Sequence, residues 1–252
     1  MTAPLLPDLR GQAVLVTGAG SGFGRACAIA LAAAGVTVAL LGRKVKPLEA
    51  TYDAILAAGG AEPGIVPFDL ATLDDAAGER IANALETQLG RLDGVVHSAA
   101  QFRSLTPLSQ QDAATWKTLT QVDLVAPALL TRACMPLLDA APVATVVFVA
   151  DTHGARPAAF WGAYGVAKAG LIALAQTLDE EWAYRGTHRA HAAVPGPMRS
   201  PIRQKSHSAS DALSADLPSP EALAPALVQL FACSGNQSVP SLVHLQPGPP
   251  TV

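Results

Sequence analysis

Tyr164 and Lys168 stand four residues apart in the run WGAYGVAKAG at 161–170, a spacing that puts both side chains on one face of a helix. A phenol needs help to exchange a proton near neutral pH. A neighbouring ammonium favours the phenolate and can also hold a ribose hydroxyl. Alone, such a pair is an ordinary helix face. A second constellation is TGAGSGFG at 17–24, where Gly18, Ser21, Gly22, Phe23 and Gly24 follow one apolar run and open a segment of helical period. Glycines admit the close approach of a backbone to a pyrophosphate. The helix N-terminus behind them offers unpaired N–H groups and a partial positive charge.

The next apolar run ends Leu40-Leu41-Gly42-Arg43-Lys44, where an acidic residue would hold the adenosine ribose hydroxyls of NAD. Here the ending is basic. Arg43, helped by Lys44, fits the 2′-phosphate of NADP, so NADP(H) is expected over NAD(H). The other reading is two solvated charges starting a helix. Asp69, after a third run, is placed to accept from an adenine amino group with Leu70 against the ring, or is simply a helix-preceding aspartate.

The elements that must position these groups alternate. Apolar runs at Ala13–Thr17, Val36–Leu41, Gly64–Pro67, Leu92–His97, Val143–Ala150, Arg189–Val194 and Ser241–Leu245 read as buried strands. Helical segments lie between them at Gly22–Ala34 and near 46–58, 73–88, 112–138, 160–184 and 220–232. This beat predicts an α/β, single-domain, doubly wound Rossmann fold over residues 1–252, with about seven parallel strands and helices on both faces. The stretch 197–220 crowds Ser, Pro, Ala and Asp and reads as a mobile substrate loop with a short helix around Asp211–Asp216.

A formal net charge of −3 and the lack of a Lys/Arg-rich tract argue against nucleic acid as a partner. Half the residues are hydrophobic and only 15% are charged, which suits a covered parallel sheet and further burial in a homodimer or homotetramer. The start MTAPLLPDLRGQ lacks the basic flank and apolar core of a signal peptide, and no apolar run is expected to reach membrane-spanning length, so the expectation is a soluble, cytoplasmic chain acting on a small molecule. Cys27, Cys134 and Cys233, widely spaced and without a CxxC pair, read as free thiols, with neither disulfide nor metal site expected.

With its TGxxxGxG turn at 17–24, its YxxxK pair at 164–168 and Pro195-Gly196 after the sixth strand, the chain resembles the short-chain dehydrogenase/reductase family over essentially its whole length. The resemblance implies that Tyr164 is the general acid/base and Lys168 its tuner and ribose anchor. It also implies that Ser98, Ala99 and Ala100 follow the cofactor, and that Pro195–Met198 lie beside the nicotinamide. Departures stand out. The family's Asn-Asn-Ala-Gly appears as His97-Ser98-Ala99-Ala100, with His97 in a structural place; the asparagine of the following long helix appears as Asp123; and the catalytic serine, thirteen residues before the tyrosine, appears as Asp151.

An ionised carboxylate at that place repels the alkoxide that forms when hydride adds to a ketone. It suits a nitrogen heterocycle instead, accepting paired hydrogen bonds from an amino-pyrimidine edge during reduction of C=N. The alternative is a protonated Asp151 that donates as serine does. The Asp-Tyr-Lys set is similar to that of the pteridine reductase branch, as are the runs Ala100-Gln101-Phe102 with Thr106-Pro107-Leu108 and Asp151-Thr152-His153 with Arg156-Pro157. That likeness implies a pterin or dihydrofolate-like substrate with Phe102 stacked on its ring. The closing run Val243–Gly248 is similar to that of a group of uncharacterised bacterial oxidoreductases. His153 reaches the substrate or stays a surface group; Trp161 lines the pocket or buries against a neighbouring subunit; Met198 closes over the substrate or packs. Against a reductase of a C=N or C=O bond stands one alternative, a catalytically degenerate NADP(H)-binding protein with a sensor or structural role.

Overall fold

The computed structural model describes residues 6–212, 214–233 and 239–247. Strands β1 (Ala13–Thr17), β2 (Thr37–Gly42), β3 (Gly64–Pro67), β4 (Gly94–His97), β5 (Ala144–Val149), β6 (His188–Val194) and β7 (Leu242–His244) form one sheet in the order β3-β2-β1-β4-β5-β6-β7. Every pairing is parallel. Between them run α1 (Gly22–Ala33), α2 (Val45–Ala57), α3 (Asp75–Leu89), α4 (Ala113–Thr120), α5 (Ala126–Ala140), α6 (Thr152–Ala155), α7 (Gly162–Trp182), α8 (Pro201–Ser206), α9 (Ala209–Ala212) and α10 (Pro220–Ala232). The strands β1, β4, β5 and β6 are buried along their whole length, because helices cover both faces and leave no position for a polar alternation.

Successive residues of β1 enter opposite cores. Val14 and Val16 join Leu31, Leu227 and Phe231 under α1 and α10, whereas Leu15 joins Leu85, Leu130 and Leu171 under α3, α5 and α7. Cys27 and Cys134 lie one in each core, and both are free thiols. The sheet order reverses between β1 and β4, so a crevice opens at their carboxyl ends. Thr17 ties its two walls together, its Oγ1 accepting the N–H groups of Ser98 and Ala99 at 3.1 Å each.

The structure differs from the sequence expectation in four places. The helix expected at 112–138 is interrupted by a wide π-type turn, Gln121–Val125, between α4 and α5. Pro127 in the first turn of α5 explains it, because its nitrogen carries no hydrogen for the carbonyl of Asp123 and its ring crowds that carbonyl. The helical run Ala113–Ala140 is also long and apolar enough to cross a membrane by length and composition, which corrects the expectation that no run reaches that length. In this fold Val122, Ala126, Leu130, Cys134 and Leu138 of that run are packed into the second core. The segment 197–220 contains α8 and α9, with the Ser200 side chain accepting from Arg203 N at 3.1 Å and Pro201 at the first position of α8. The helix expected at Asp211–Asp216 overlaps only the end of α9, and Leu213 and Gly248 lie outside the described residues. The short helix α6 has no counterpart among the expected elements.

Candidate active site

At the carboxyl ends of the central strands lies a cleft of about 750 Å³, large enough for a dinucleotide and a small second molecule. The glycine turn forms one end. Gly18 has a φ of +69°, and a Cβ there would stand 2.8 Å from the Cα of Ala99; at Gly24 it would stand 2.5 Å from the Gly18 carbonyl oxygen. Only glycine allows this turn to press against both β4 and its own helix. Ser21, the residue before α1, makes no side-chain cap bond, so the first N–H groups of the helix remain for an anion. Ser21, Gly22, Phe23 and Gly24 all line the cleft. The turn therefore fits a pyrophosphate.

Arg43 and Lys44 line the cleft where β2 ends, exposed. Arg43 makes no hydrogen bond or ion pair among the described residues, which leaves its guanidinium uncommitted. Asp69 and Leu70 line the same end, with Asp69 Oδ1 accepting from Ala71 N at 3.0 Å and Leu70 buried. Ser98, Ala99 and Ala100 line the cleft after β4, and Pro195, Gly196 and Met198 after β6. Met198 also packs on the first core.

The reactive groups meet at the middle of the cleft. Asp151 begins α6, its Oδ1 accepting from His153 N at 2.8 Å, while its Oδ2 accepts from the Tyr164 hydroxyl at 3.1 Å. Lys168, 2% exposed, donates from Nζ to the Val149 carbonyl at 2.9 Å and lies 5.7 Å from the centre of the Tyr164 ring. Burial, then the carboxylates of Asp151 and Asp123, push the Tyr164 phenol well above its ordinary value. This corrects the expectation that the ammonium brings it down: in this structure burial and two facing acids win. Burial lowers Lys168, with Asp123 and Asp151 opposing. His97 sits buried at the end of β4, stacked on Phe148 at 5.0 Å and sharing a 2.8 Å hydrogen bond with Thr131, and burial pushes its imidazole down to about 3. It stands outside the cleft lining, held by Thr131 and Phe148.

His153 and Trp161 stack at 3.8 Å with 20° between their planes and form an aromatic wall of the cleft. Burial holds His153 below its usual value. Phe102 is placed differently from the expectation. It is 5% exposed, does not line the cleft, and meets Tyr164 edge-on at 5.4 Å from behind, beside a separate cavity of about 220 Å³. A hydrophobic cluster with Leu119, Trp161 and Tyr164 holds it there, so a ring bound in the cleft meets Trp161 and His153 and not Phe102. Sequence reasoning also missed Ser200, Arg203 and His207, which line the cleft from α8 and its end. A serine before proline does signal a helix start, but the reading of 197–220 as loop hid it.

The short chain dehydrogenase family model matches residues 12–211. The uncharacterized oxidoreductase YciK of Escherichia coli (strain K12) is 30% identical over 240 residues, covering 95% of this chain and 94% of its own length. A short chain dehydrogenase structure from Pseudomonas syringae superposes with a TM-score of 0.88 at 33% identity over 97% of this chain and 98% of that one. Another from Shigella flexneri 2a str. 301, solved in complex with NADP, gives 0.85 at 28% identity over 95% and 98%.

Proposed function

The chain belongs to the short chain dehydrogenase family, and from that premise we propose that it is an NADP(H)-dependent reductase of a C=N or C=O bond. The observation that carries the reading is the meeting of Tyr164, Lys168 and Asp151 in one cleft with an uncommitted Arg43 at its far end. The glycine turn and the α1 N-terminus would hold the pyrophosphate, Arg43 the 2′-phosphate, Asp69 and Leu70 the adenine, and Lys168 the ribose beside the nicotinamide. Ser98, Ala99, Ala100, Pro195 and Gly196 would flank the cofactor's length. When bound there, the cofactor would supply a hydride. Tyr164 then donates its hydroxyl proton to the product, and Asp151 orients a polar substrate edge by accepting hydrogen bonds. Trp161, His153 and Met198 enclose that substrate.

Cofactor choice tests Arg43. Arg43→Asp is expected to weaken NADPH binding by about 100-fold, since it removes a charge-assisted bond and adds repulsion, while NADH binding changes by less than about threefold. Fluorescence titration of the two nucleotides measures it; an unaltered NADPH-to-NADH ratio removes Arg43 from the reading. The structure of the Shigella relative with NADP supports the phosphorylated form.

A pterin or dihydrofolate-like substrate loses the support of Phe102, which stands outside the cleft, and rests chiefly on Asp151. The function itself is tested by following NADPH absorbance with dihydrobiopterin, dihydrofolate and a panel of small ketones in the wild type and in Asp151→Ser. Turnover of a pterin that weakens in Asp151→Ser supports C=N reduction. One observation favours a second reading. The Tyr164 hydroxyl is already spent on Asp151, which fits a protein that binds NADP(H) without turnover; tight binding, no turnover, and ketone reduction arising only in Asp151→Ser would select it. The reading includes a homodimer or homotetramer, for which exposed Val125 and Val166 supply apolar surface on the α4–α5 run and α7, and a cytoplasmic location consistent with free thiols. The span 197–220 is its substrate-covering segment.

A further inference from the structure

Asp123 is a buried acid with an oxygen left unsatisfied among the described residues. It is fully buried in the π-type turn Gln121–Val125. Its Oδ1 accepts from Gln101 N at 2.6 Å, and its Oδ2, also buried, has no hydrogen-bond partner. A buried carboxylate with one naked oxygen is costly as an anion and far less so as an acid. The resemblance noted above puts an asparagine here, whose amide cannot ionise.

The groups facing it define what ionisation would change. Lys168 of α7 acts on it directly and Tyr164 of α7 feels its charge, while Asp151 at the start of α6 shares both of those partners with it and His97 at the end of β4 shares only Lys168. Of the other charged residues on the packed elements, Lys117 on α4, Arg132 on α5, Glu180 and Glu181 on α7 and Asp69 before the turn 70–72 are exposed, while Asp139 on α5 and Asp179 on α7 are half-buried and paired with Arg185 and Arg189. So when Asp123 is protonated, Tyr164 faces one carboxylate beside the Lys168 ammonium, and when it is ionised Tyr164 faces two. Each negative charge makes the phenolic proton harder to release.

We propose that Asp123 is a positioning residue that exchanges a proton with solvent and thereby sets how readily Tyr164 releases its own. The proposal rests on the reductase reading for its effect on rate and on the geometry alone for the proton. Burial of the carboxyl, opposed by Lys168 and by the Gln101 N–H, lifts it to about 7, which places the exchange in a physiological range. During reduction the Tyr164 proton passes to the substrate nitrogen or oxygen that gains the electron pair, and solvent restores it. Asp123 takes no part in bond making.

Two measurements on the intact protein test this. Carbon-13 carboxyl labelling of aspartate is expected to show one signal that titrates near neutrality and is missing from Asp123→Asn. Thermal unfolding gives an independent readout. A carboxyl protonated in the native state but ionised in the unfolded chain above about pH 4 contributes stability that falls as pH rises from there through about 7. The unfolding constant of the wild type relative to Asp123→Asn should therefore rise by up to about 10³-fold across that window; the His97 contribution, common to both, cancels. With a turned-over substrate, kcat of the wild type should fall about tenfold above neutrality at constant KM, and Asp123→Asn should show no such limb. A signal that moves with ordinary carboxylates below about pH 5, or superimposable rate–pH profiles, overturns the proposal. If no panel substrate is turned over although NADPH binds, the reductase reading falls, and the pH dependence of NADPH affinity decides Asp123: it must differ between wild type and Asp123→Asn or the proposal falls too.

Discussion

Tyr164→Phe is expected to lower kcat for NADPH oxidation by about 10³-fold while NADPH affinity stays within about twofold. The ring itself remains useful. It packs edge-on against Phe102 at 5.4 Å and tilted against Trp161 at 5.7 Å, and phenylalanine keeps both contacts. Only the hydroxyl and its bond to Asp151 disappear, and Asp151 keeps the His153 N–H. The variant should therefore fold and bind as the wild type does, which single-turnover kinetics and fluorescence titration can verify on one preparation. A loss smaller than about tenfold would mean that another group supplies the proton. Because the phenol is held well above its usual value, Tyr164 keeps its proton across the neutral range. That state serves reduction, whereas alcohol oxidation needs the phenolate as base, so turnover should favour NADPH consumption over NADP⁺ reduction near neutrality.

The second large effect belongs to Gly18→Val. A branched side chain at a φ of +69° costs about 1–3 kcal/mol in backbone strain alone, and its Cβ would begin 2.8 Å from the Cα of Ala99 and 2.9 Å from its nitrogen. Those are backbone atoms, tied to Thr17 by two hydrogen bonds, so neither wall of the crevice can yield without breaking the seam between β1 and β4. The expected result is loss of measurable NADPH binding together with a melting temperature lowered by more than about 5 °C. Binding retained at full affinity would show that the glycine turn does not receive the pyrophosphate.

Much of this was legible in the sequence because its signals are local. An apolar run bounded by turn residues marks a strand in a covered parallel sheet, and all seven runs became strands with ends shifted by at most two residues. The glycine turn and the Tyr164–Lys168 spacing were likewise read from neighbouring residues, and the structure brings them to one cleft. What escaped depends on distant partners. Phe102 faces away from the cleft because Leu119 and Trp161 close around it, a contact that periodicity does not encode. Tyr164 is hard to ionise because it is buried and faces Asp151 and then Asp123, the last standing 41 positions earlier by their numbers in a turn opened by Pro127. The helix α8 was hidden by composition, since Ser and Pro signal both a loop and a capped helix start.

The reversal of strand order between β1 and β4 has a consequence during synthesis. Thr17 and Ala99, whose contact completes the crevice, are 82 residues apart. At roughly 5–20 residues per second, the ribosome delivers the second partner roughly 4–16 s after the first. Throughout that interval β1 can pair with β2 on one side only, and the hydrogen-bonding edge meant for β4 stands open. The nascent chain thus carries an adhesive strand edge at the very place where its cofactor pocket will form, and conditions that slow translation between residues 17 and 99 should raise its demand for chaperones.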